Sequence, residues 1–271
     1  MHGQQEPQKH HGQLFWKFKS TIEKIPGAFR LYKFITSRTG EGKIYTVSKG
    51  PVTGLRWKRY NHLPYWYHRG LYEPQLTHYL QRHLPAHGTF WDLGAHAGYH
   101  AICAARAVGP QGCVLAVEPD PDIVEIMHEQ VALNDLHNLT VLQEAVADKI
   151  GTITFMRSGV DSRTSAIAGI GGEKGQGIPM EVPTTTLDTL LERFPTPDIL
   201  KMDIEGAEIY ALPGGERLFA SQRKPQHLLI GVHGEHARRF TEEFVQDHGY
   251  QLVAVPGFEP DVNLVAKRRA A

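Results

Sequence analysis

The sequence predicts an α/β fold built around a mostly parallel sheet, and three observations lead to this prediction. From residue 73 onward, apolar runs of strand length alternate with amphipathic segments of helical length. The first of these runs leads directly into "DLGAHAG" at 92–98, a pattern typical of a ligand-binding turn between a strand and a helix. The last two runs, "YQLVAV" and "VNLVAK", are close enough in the chain to pair antiparallel.

The residues before this alternation predict a tail and an extension. Residues 1–13 are polar and predict a disordered tail. Residues 14–72 predict an extension with two short helices, which are separated by the Pro-Gly at 26–27, followed by a β-hairpin within "IYTVSKGPVTGLRW". Residues 15–70 hold 12 Lys or Arg against 2 Asp or Glu, which leaves the rest of the chain at a net charge of −10.

This basic extension has two interpretations that the sequence leaves open. It is rich in aromatic residues and is therefore too apolar for a solvated tail. We favour docking on the acidic body, as a lid, or on a second copy of the chain in a homo-oligomer. The alternative is a surface that binds an anionic partner such as nucleic acid, a lipid or a phosphorylated substrate.

The periodicity of residues 73–271 predicts the elements of a single larger domain. Helices are predicted at 74–84, 98–108, 121–134, 205–219 and 236–247. Strands are predicted at 89–93, 113–118, 139–143, 198–203 and 227–233. Two more alternating strands, "GTITFM" and "MEVPTTT", flank a Gly-rich segment at 158–179 that predicts a mobile flap.

Composition narrows the class of protein. The chain has 271 residues, of which 41% are hydrophobic and 21% charged, enough for a sizeable buried core. The sequence contains neither an N-terminal apolar leader nor a run of 18 apolar residues, so we expect a soluble, cytoplasmic protein without a membrane partner. Cys103 and Cys113 are the two cysteines, and their spacing matches no disulfide framework or common zinc site.

The stretch after the first strand of the domain indicates which cofactor it suits. His96 stands where a dinucleotide-binding loop needs a third glycine, which disfavours NAD, and "GGEKGQG" fails the pattern of a phosphate-binding loop. Asp92, Gly94 and Gly98 instead suit a cofactor with an amino-acid end, a nucleoside end and no phosphate, such as S-adenosylmethionine. Glu118 ends the next strand, where a carboxylate can accept hydrogen bonds from both ribose hydroxyls.

Six motifs in order resemble the FkbM-type S-adenosylmethionine-dependent methyltransferases. They are "RGLYEPQL", "FWDLGAHAGYHA", "VLAVEPDP", "ALNDLHNLTVLQEAVADKIGTITF", "VPTTTLDTLL" and "DILKMDIEGAEIYAL". The resemblance implies a class I methyltransferase fold, Rossmann-like, with a seven-stranded sheet of order 3-2-1-4-5-7-6 and an antiparallel last strand. It implies a cofactor loop of Gly94, Ala95, His96 and Gly98 after Asp92, a ribose-binding Glu118, an adenine wall at Ala145 and a contact from Glu73. His96 and His100 depart from the family, which more often has Asn and an aromatic residue there.

Such an enzyme needs a group that removes a proton if its acceptor is a hydroxyl. Strands 198–203 and 227–233 are predicted neighbours, so Asp203 and His233 can meet at the rim of the sheet. We hypothesise that His233 is the general base and that Asp203 orients it or lines the methionine end of the cofactor. A strand-end histidine bonded to a loop carbonyl is the alternative interpretation. Glu205 is a candidate on the substrate side, although acidic residues in a first helical turn also simply stabilise the helix.

The most direct reading of function is O-methylation of a hydroxyl on a sugar or another natural-product small molecule, with S-adenosylhomocysteine as the product. The alternatives are an RNA- or protein-directed methyltransferase, or a protein that keeps the fold only for binding. The chain lacks an Asn-Pro-Pro-Tyr type motif for planar amines, which favours hydroxyl acceptors over nucleic acid. No metal site is predicted: Mg²⁺ on Asp203 and Glu205 stays open, but nothing in the sequence supports it.

Overall fold

The structure is a computed structural model that describes residues 39–48, 52–157, 166–167, 177–256, 258 and 263–269. The tail predicted at 1–13, the two helices predicted before residue 36 and nearly all of the predicted flap lie outside these residues. The chain divides into two compact units, residues 1–74 and 75–271.

The N-terminal unit contains the predicted β-hairpin. Strands β1 (Ile44–Thr46) and β2 (Arg56–Lys58) pair antiparallel, with Tyr45 opposite Trp57. Trp57 is buried and packs edge-on against Tyr67, with ring centroids 5.3 Å apart. In the described part of this unit, aromatic residues therefore form a small apolar core, as their number in the sequence suggests.

The larger unit has eleven described strands and seven α-helices among its described residues. The strands are β3 (Thr89–Leu93), β4 (Cys113–Val117), β5 (Leu139–Leu142), β6 (Ala145–Val146), β7 (Gly151–Arg157), β8 (Ala166–Ile167), β9 (Ile178–Thr185), β10 (Ile199–Met202), β11 (His227–Gly231), β12 (Tyr250–Leu252) and β13 (Asn263–Arg268). The helices are α1 (Pro74–His83), α2 (Tyr99–Val108), α3 (Pro121–Leu133), α4 (Leu187–Arg193), α5 (Glu208–Ala211), α6 (Glu216–Ala220) and α7 (Glu235–Asp247).

The main sheet has the order β12-β13-β11-β10-β3-β4-β5. When its seven strands are numbered along the chain and the sheet is read from the β5 edge, this order is 3-2-1-4-5-7-6. β13 runs antiparallel to both of its neighbours, and the other neighbouring pairs are parallel. The structure therefore confirms the predicted fold class, including the closing antiparallel pair.

The central strands β3, β4, β10 and β11 are almost entirely buried because helices cover both faces of the sheet. Trp91, Leu93, Leu200 and Met202 lie in one apolar cluster with buried residues of α4, α5, α6 and α7. The intervening residues of β3 and β4 face the other way, where the small buried side chains of α2 pack. Five neighbouring strands, β5, β4, β3, β10 and β11, run parallel, so their carboxyl ends lie at one edge of the sheet.

The helix predicted at 205–219 begins later and is interrupted. A turn with positive φ at Glu205 (57°) and Gly206 (99°) delays its start, so that α5 begins at Glu208. Pro213 lacks the N–H that an α-helix needs, and residues 212–215 form a 3₁₀ turn before α6 starts. The sequence prediction overlooked that proline.

The sequence analysis also missed α4. Thr186 caps this helix, because its side chain accepts a hydrogen bond from the backbone N–H of Thr189 at 3.0 Å. Leu187 and Leu190 are fully buried at helical spacing in the main cluster. The apolar spacing of this helix is present in "TTTLDTLLER", directly after the alternating pattern that predicted a strand.

A second sheet has the order β6-β9-β7-β8. β7 and β9 pair antiparallel along their length, which confirms the two alternating strands predicted around the Gly-rich segment. Phe155, Val182 and Ala145 form the small apolar cluster of this sheet.

Candidate active site

The candidate site lies at the carboxyl edge of β3, β4, β10 and β11. In open parallel sheets this is the edge at which ligands bind, because the loops that leave the strands surround a crevice there. The loop at 94–98 leaves β3, Glu118 follows β4, Asp203 follows β10 and His233 lies two residues after β11. The structure thus gathers the predicted residues of the larger unit, Ala145 excepted, along one rim.

Asp92 forms a buried ion pair with Lys201, its register partner on β10. Nζ of Lys201 lies 2.9 Å from Oδ1 of Asp92, and the two side chains are 7% and 0% exposed. Burial raises the pKa of Asp92, and the ammonium group of Lys201 opposes that rise. The Asp92 carboxylate is therefore buried, Oδ2 has no hydrogen-bond partner among the described residues, and the role of Asp92 in cofactor binding stays a prediction.

The loop after β3 is held in place by its backbone. Gly94 and Gly98 have φ of +74° and +78°, which residues with a Cβ rarely adopt. A Cβ on Gly94 would lie 2.0 Å from the carbonyl oxygen of Asp203, so the loop can only approach β10 this closely with glycine there. The N–H groups of Gly94 and Ala95 both donate to the carbonyl of Val117, at 2.9 and 3.1 Å. These contacts join the loop to both neighbouring strands.

Glu118 is tied to the same loop. Its Oε2 accepts a hydrogen bond from the backbone N–H of His96 at 2.9 Å, and its Oε1 accepts one from the N–H of Asp120 at 3.1 Å. His96 itself has positive φ of 49°. Burial raises the pKa of Glu118 to about 7, although both hydrogen bonds work in the opposite direction. Each oxygen retains a lone pair, so the carboxylate can still accept hydrogen bonds from a ribose.

His233 lies among three carboxylates. Its Nε2 is 3.8 Å from Oδ1 of Asp203 and 3.4 Å from Oε2 of Glu205, and its Nδ1 is 3.5 Å from Oε1 of Glu208. Glu208 raises the pKa of His233 above its usual value, burial opposes this, and Glu205 and Asp203 add to the rise. The structure therefore brings together the three side chains predicted as catalytic, although it does not test their roles.

Glu208 is the member of this cluster that the sequence analysis did not single out. Its side chain is completely buried, and Oε1 accepts a hydrogen bond from the N–H of Ile204 at 3.0 Å. Helical spacing held the signal: Glu208 shares its face of the helix with Ala211 and Leu212, which are both buried. A carboxylate on the apolar face of a helix needs a partner, and the partners of Glu208 are the N–H of Ile204 and the imidazole of His233.

Two further cofactor contacts were predicted, at Ala145 and Glu73. Ala145 is buried on β6 beside Phe155 and Val182, and its contact with adenine stays a prediction. Glu73 belongs to the N-terminal unit, where its φ is +38°, and its contact with the cofactor also stays a prediction.

Residues 92–252 match the methyltransferase FkbM domain, and this match covers more than half of the chain. The chain belongs to the FkbM methyltransferase family. This membership confirms the family that the six motifs predicted, the methyltransferase class and S-adenosylmethionine as the cofactor.

Curated relatives match over shorter regions. The hexuronic acid methyltransferase AglP of Haloferax volcanii is 30% identical over 129 residues, which are 46% of this chain and 48% of that protein. An arsenite methyltransferase of Halobacterium salinarum is 41% identical over 51 residues, 19% of this chain and 13% of that protein. The chain thus matches about half of the first relative's length and less of the second.

Solved structures of methyltransferases are similar at low sequence identity. The FkbM methyltransferase of Methylobacillus flagellatus is 15% identical, with a TM-score of 0.48, over 75% of this chain and 52% of that one. Fibrillarin of Aeropyrum pernix with bound S-adenosylmethionine is 12% identical, with a TM-score of 0.42, over 67% of this chain and 66% of that one. Among the residues that the structure describes, no helix has the length and apolar character needed to cross a membrane.

Proposed function

We propose that this protein transfers a methyl group from S-adenosylmethionine to a hydroxyl of a sugar or another natural-product small molecule. The observation that carries the proposal is the contact between the cofactor loop and the His233 cluster: Gly94 lies against the backbone of Asp203, whose carboxylate is 3.8 Å from His233. A group that accepts protons therefore adjoins the loop that is expected to hold the methyl donor.

The residues of the rim fit the cofactor. The buried Glu118 carboxylate suits the hydroxyls of a ribose. Gly94 and Gly98 have no side chains, so a ligand can approach the backbone of the loop at these two residues. Asp203 is 44% exposed, and its carboxylate suits the ammonium group at the amino-acid end of the cofactor. When bound, S-adenosylmethionine supplies an electrophilic methyl group.

The residues of the chain then have to orient the acceptor and remove its proton. Orientation of two bound partners contributes on the order of 7–11 kcal/mol to such reactions. In the simplest form of the proposal, His233 takes the proton, as the sequence predicts, while Asp203 and Glu205 face its Nε2. Glu208 on the other side of the ring would hold the orientation of the imidazole.

The hydroxyl acceptor is supported by two further facts. β10 continues into "DIEG" rather than into a motif for planar amines, and one curated relative is a hexuronic acid methyltransferase. The same proposal includes a cytoplasmic location, consistent with the two free cysteines, and association of two copies through the extension at 14–72.

The test is incubation with methyl-labelled S-adenosylmethionine and separate pools of glycosides, RNA and protein. We expect label in the glycoside pool, in a form that resists mild alkali, because methyl ethers survive alkali whereas methyl esters are hydrolysed. Glu118→Ala should remove both cofactor binding and labelling. Label in RNA or protein would contradict the small-molecule acceptor, and alkali-labile label alone would contradict the hydroxyl acceptor, but either result would leave the methyltransferase class intact.

A further inference from the structure

The His233 cluster has the composition of a cation site as well as that of a proton acceptor. Asp203, Glu208 and His233 can each direct one ligand atom so that these atoms all lie within 4.8 Å of one another. Three carboxylates, counting Glu205, lie within 3.8 Å of this one imidazole. A single proton on His233 cannot balance that charge, and Lys201, two residues before Asp203, is paired with Asp92.

A second and independent observation comes from Glu208. Its side chain is 0% exposed, yet Oε2 has no hydrogen-bond partner among the described residues. An unsatisfied buried carboxylate oxygen destabilises the folded protein, and more so when the group is charged. The other oxygen fixes this carboxylate through Ile204, so the unsatisfied oxygen belongs to a rigid group beside His233.

The distances also suit one ion. Donors bound to a tetrahedral ion at about 2.0–2.2 Å lie about 3.4 Å from one another. Nδ1 of His233 and Oε1 of Glu208 are 3.5 Å apart. Asp203 faces the other ring nitrogen, with Oδ1 3.8 Å from Nε2 of His233, and one of its oxygens lies within 4.8 Å of a ligand atom of each of the other two residues.

We propose that Asp203, Glu208 and His233 bind a divalent cation. One imidazole nitrogen and two carboxylates favour Mn²⁺ or Zn²⁺ over Ca²⁺ and Mg²⁺, which prefer oxygen ligands alone. Three protein ligands leave a coordination position open. This position would hold an acceptor oxygen, a clause that rests on the proposed function, and His233 would then be a ligand rather than the base.

The test is titration of chelator-treated, full-length protein with Mn²⁺, followed by the loss of the EPR signal of the free ion. We expect one bound Mn²⁺ per chain, with coupling to one ¹⁴N nucleus in pulsed EPR. Asp203→Asn, at a partly exposed position where folding is not at risk, should weaken binding at least tenfold, and His233→Gln should remove the nitrogen coupling. Glu243→Gln, the same kind of change at an exposed position on α7, should leave the affinity unchanged.

Calorimetry with S-adenosylmethionine on the same samples separates this inference from the proposed function. If the cofactor binds but neither Mn²⁺ nor Zn²⁺ does, or if Asp203→Asn and His233→Gln bind Mn²⁺ like the unaltered protein, the cation inference is wrong and the proposed function stands. If Mn²⁺ binds as expected but the label enters only RNA, protein or alkali-labile products, the cation site stands and the proposed small-molecule hydroxyl acceptor is wrong.

Discussion

Three buried carboxylates at the rim differ in what satisfies them. Asp92 has an ammonium group at 2.9 Å, and Glu118 accepts two backbone N–H groups. Glu208 has one backbone donor and the imidazole of His233. Asp92 and Glu208 each keep one buried oxygen without a hydrogen-bond partner among the described residues, and each oxygen of Glu118 can accept a further hydrogen bond.

Glu118 gives a prediction about pH. Its pKa of about 7 means that the carboxyl is largely protonated below neutrality in the free protein. Hydroxyls of a ribose donate to the charged form, so binding should favour deprotonation and release a proton. We therefore expect the affinity for S-adenosylmethionine to fall below about pH 7, by up to about tenfold per pH unit.

Calorimetry between pH 5.5 and 8 in buffers of different ionisation enthalpy measures both the affinity and the released proton. Glu118→Gln, which cannot ionise, should bind more weakly at pH 8 and show no such dependence. A pH profile shared by the unaltered protein and Glu118→Gln would exclude Glu118 as the titrating group.

At the scale of elements, the rim is built from the places where strands become helices. Glu118 ends β4, and Asp120 two residues later caps α3, since its Oδ1 accepts the N–H of Asp122 at 3.0 Å. Oδ2 of Asp120 also lies 3.0 Å from Nε of Arg157 on β7. The side chain of Asp120 thus caps α3 and pairs with β7 of the second sheet. The backbone N–H of the same residue donates a hydrogen bond to Glu118.

Asp120→Ala should lower the free energy of unfolding by about 1–2 kcal/mol, because the helix loses its cap and Arg157 loses a partner. Asp120→Asn keeps the cap and removes the charge, so it should cost less than half as much. Urea denaturation of the three proteins measures this. Equal losses in both variants would mean that the ion pair, and not the cap, is the stabilising contact.

At the scale of the whole molecule, the described cofactor loop, Glu118 and the His233 cluster all belong to the unit at 75–271. The sequence predicts a methyltransferase domain at 73–271 and a basic aromatic extension at 14–72. That these two parts have separate functions stays a prediction. Residues 15–70 hold 12 of the 29 Lys and Arg residues of the chain. Whether the extension contributes to cofactor binding can be tested by removing it.

A fragment of residues 71–271 should unfold in one cooperative transition and bind S-adenosylmethionine as tightly as the full chain, because the rim is complete within it. Circular dichroism and calorimetry measure the two properties. An affinity more than tenfold weaker in a folded fragment would show that the N-terminal unit supplies part of the site.

The sequence by itself determined the parallel sheet, its antiparallel closing pair, the loop after β3 and the positions of Glu118, Asp203 and His233. Hydrophobic periodicity and the conformational demands of glycine are local properties, and local properties can be read along the chain. The same information was present for α4 and for Pro213. Both features could therefore have been predicted from local sequence.

The sequence predicted that Asp203 and His233 meet, but only the tertiary structure decided the partners of Asp92 and Glu208. Lys201 pairs with Asp92, 109 residues away, because β10 and β3 lie in register, and Glu208 reaches His233 because the turn at Glu205 and Gly206 sets the start of α5. The cost of a buried charge depends on all of its neighbours in space. The partners of these carboxylates therefore follow from strand register and helix placement, which the sequence alone does not provide.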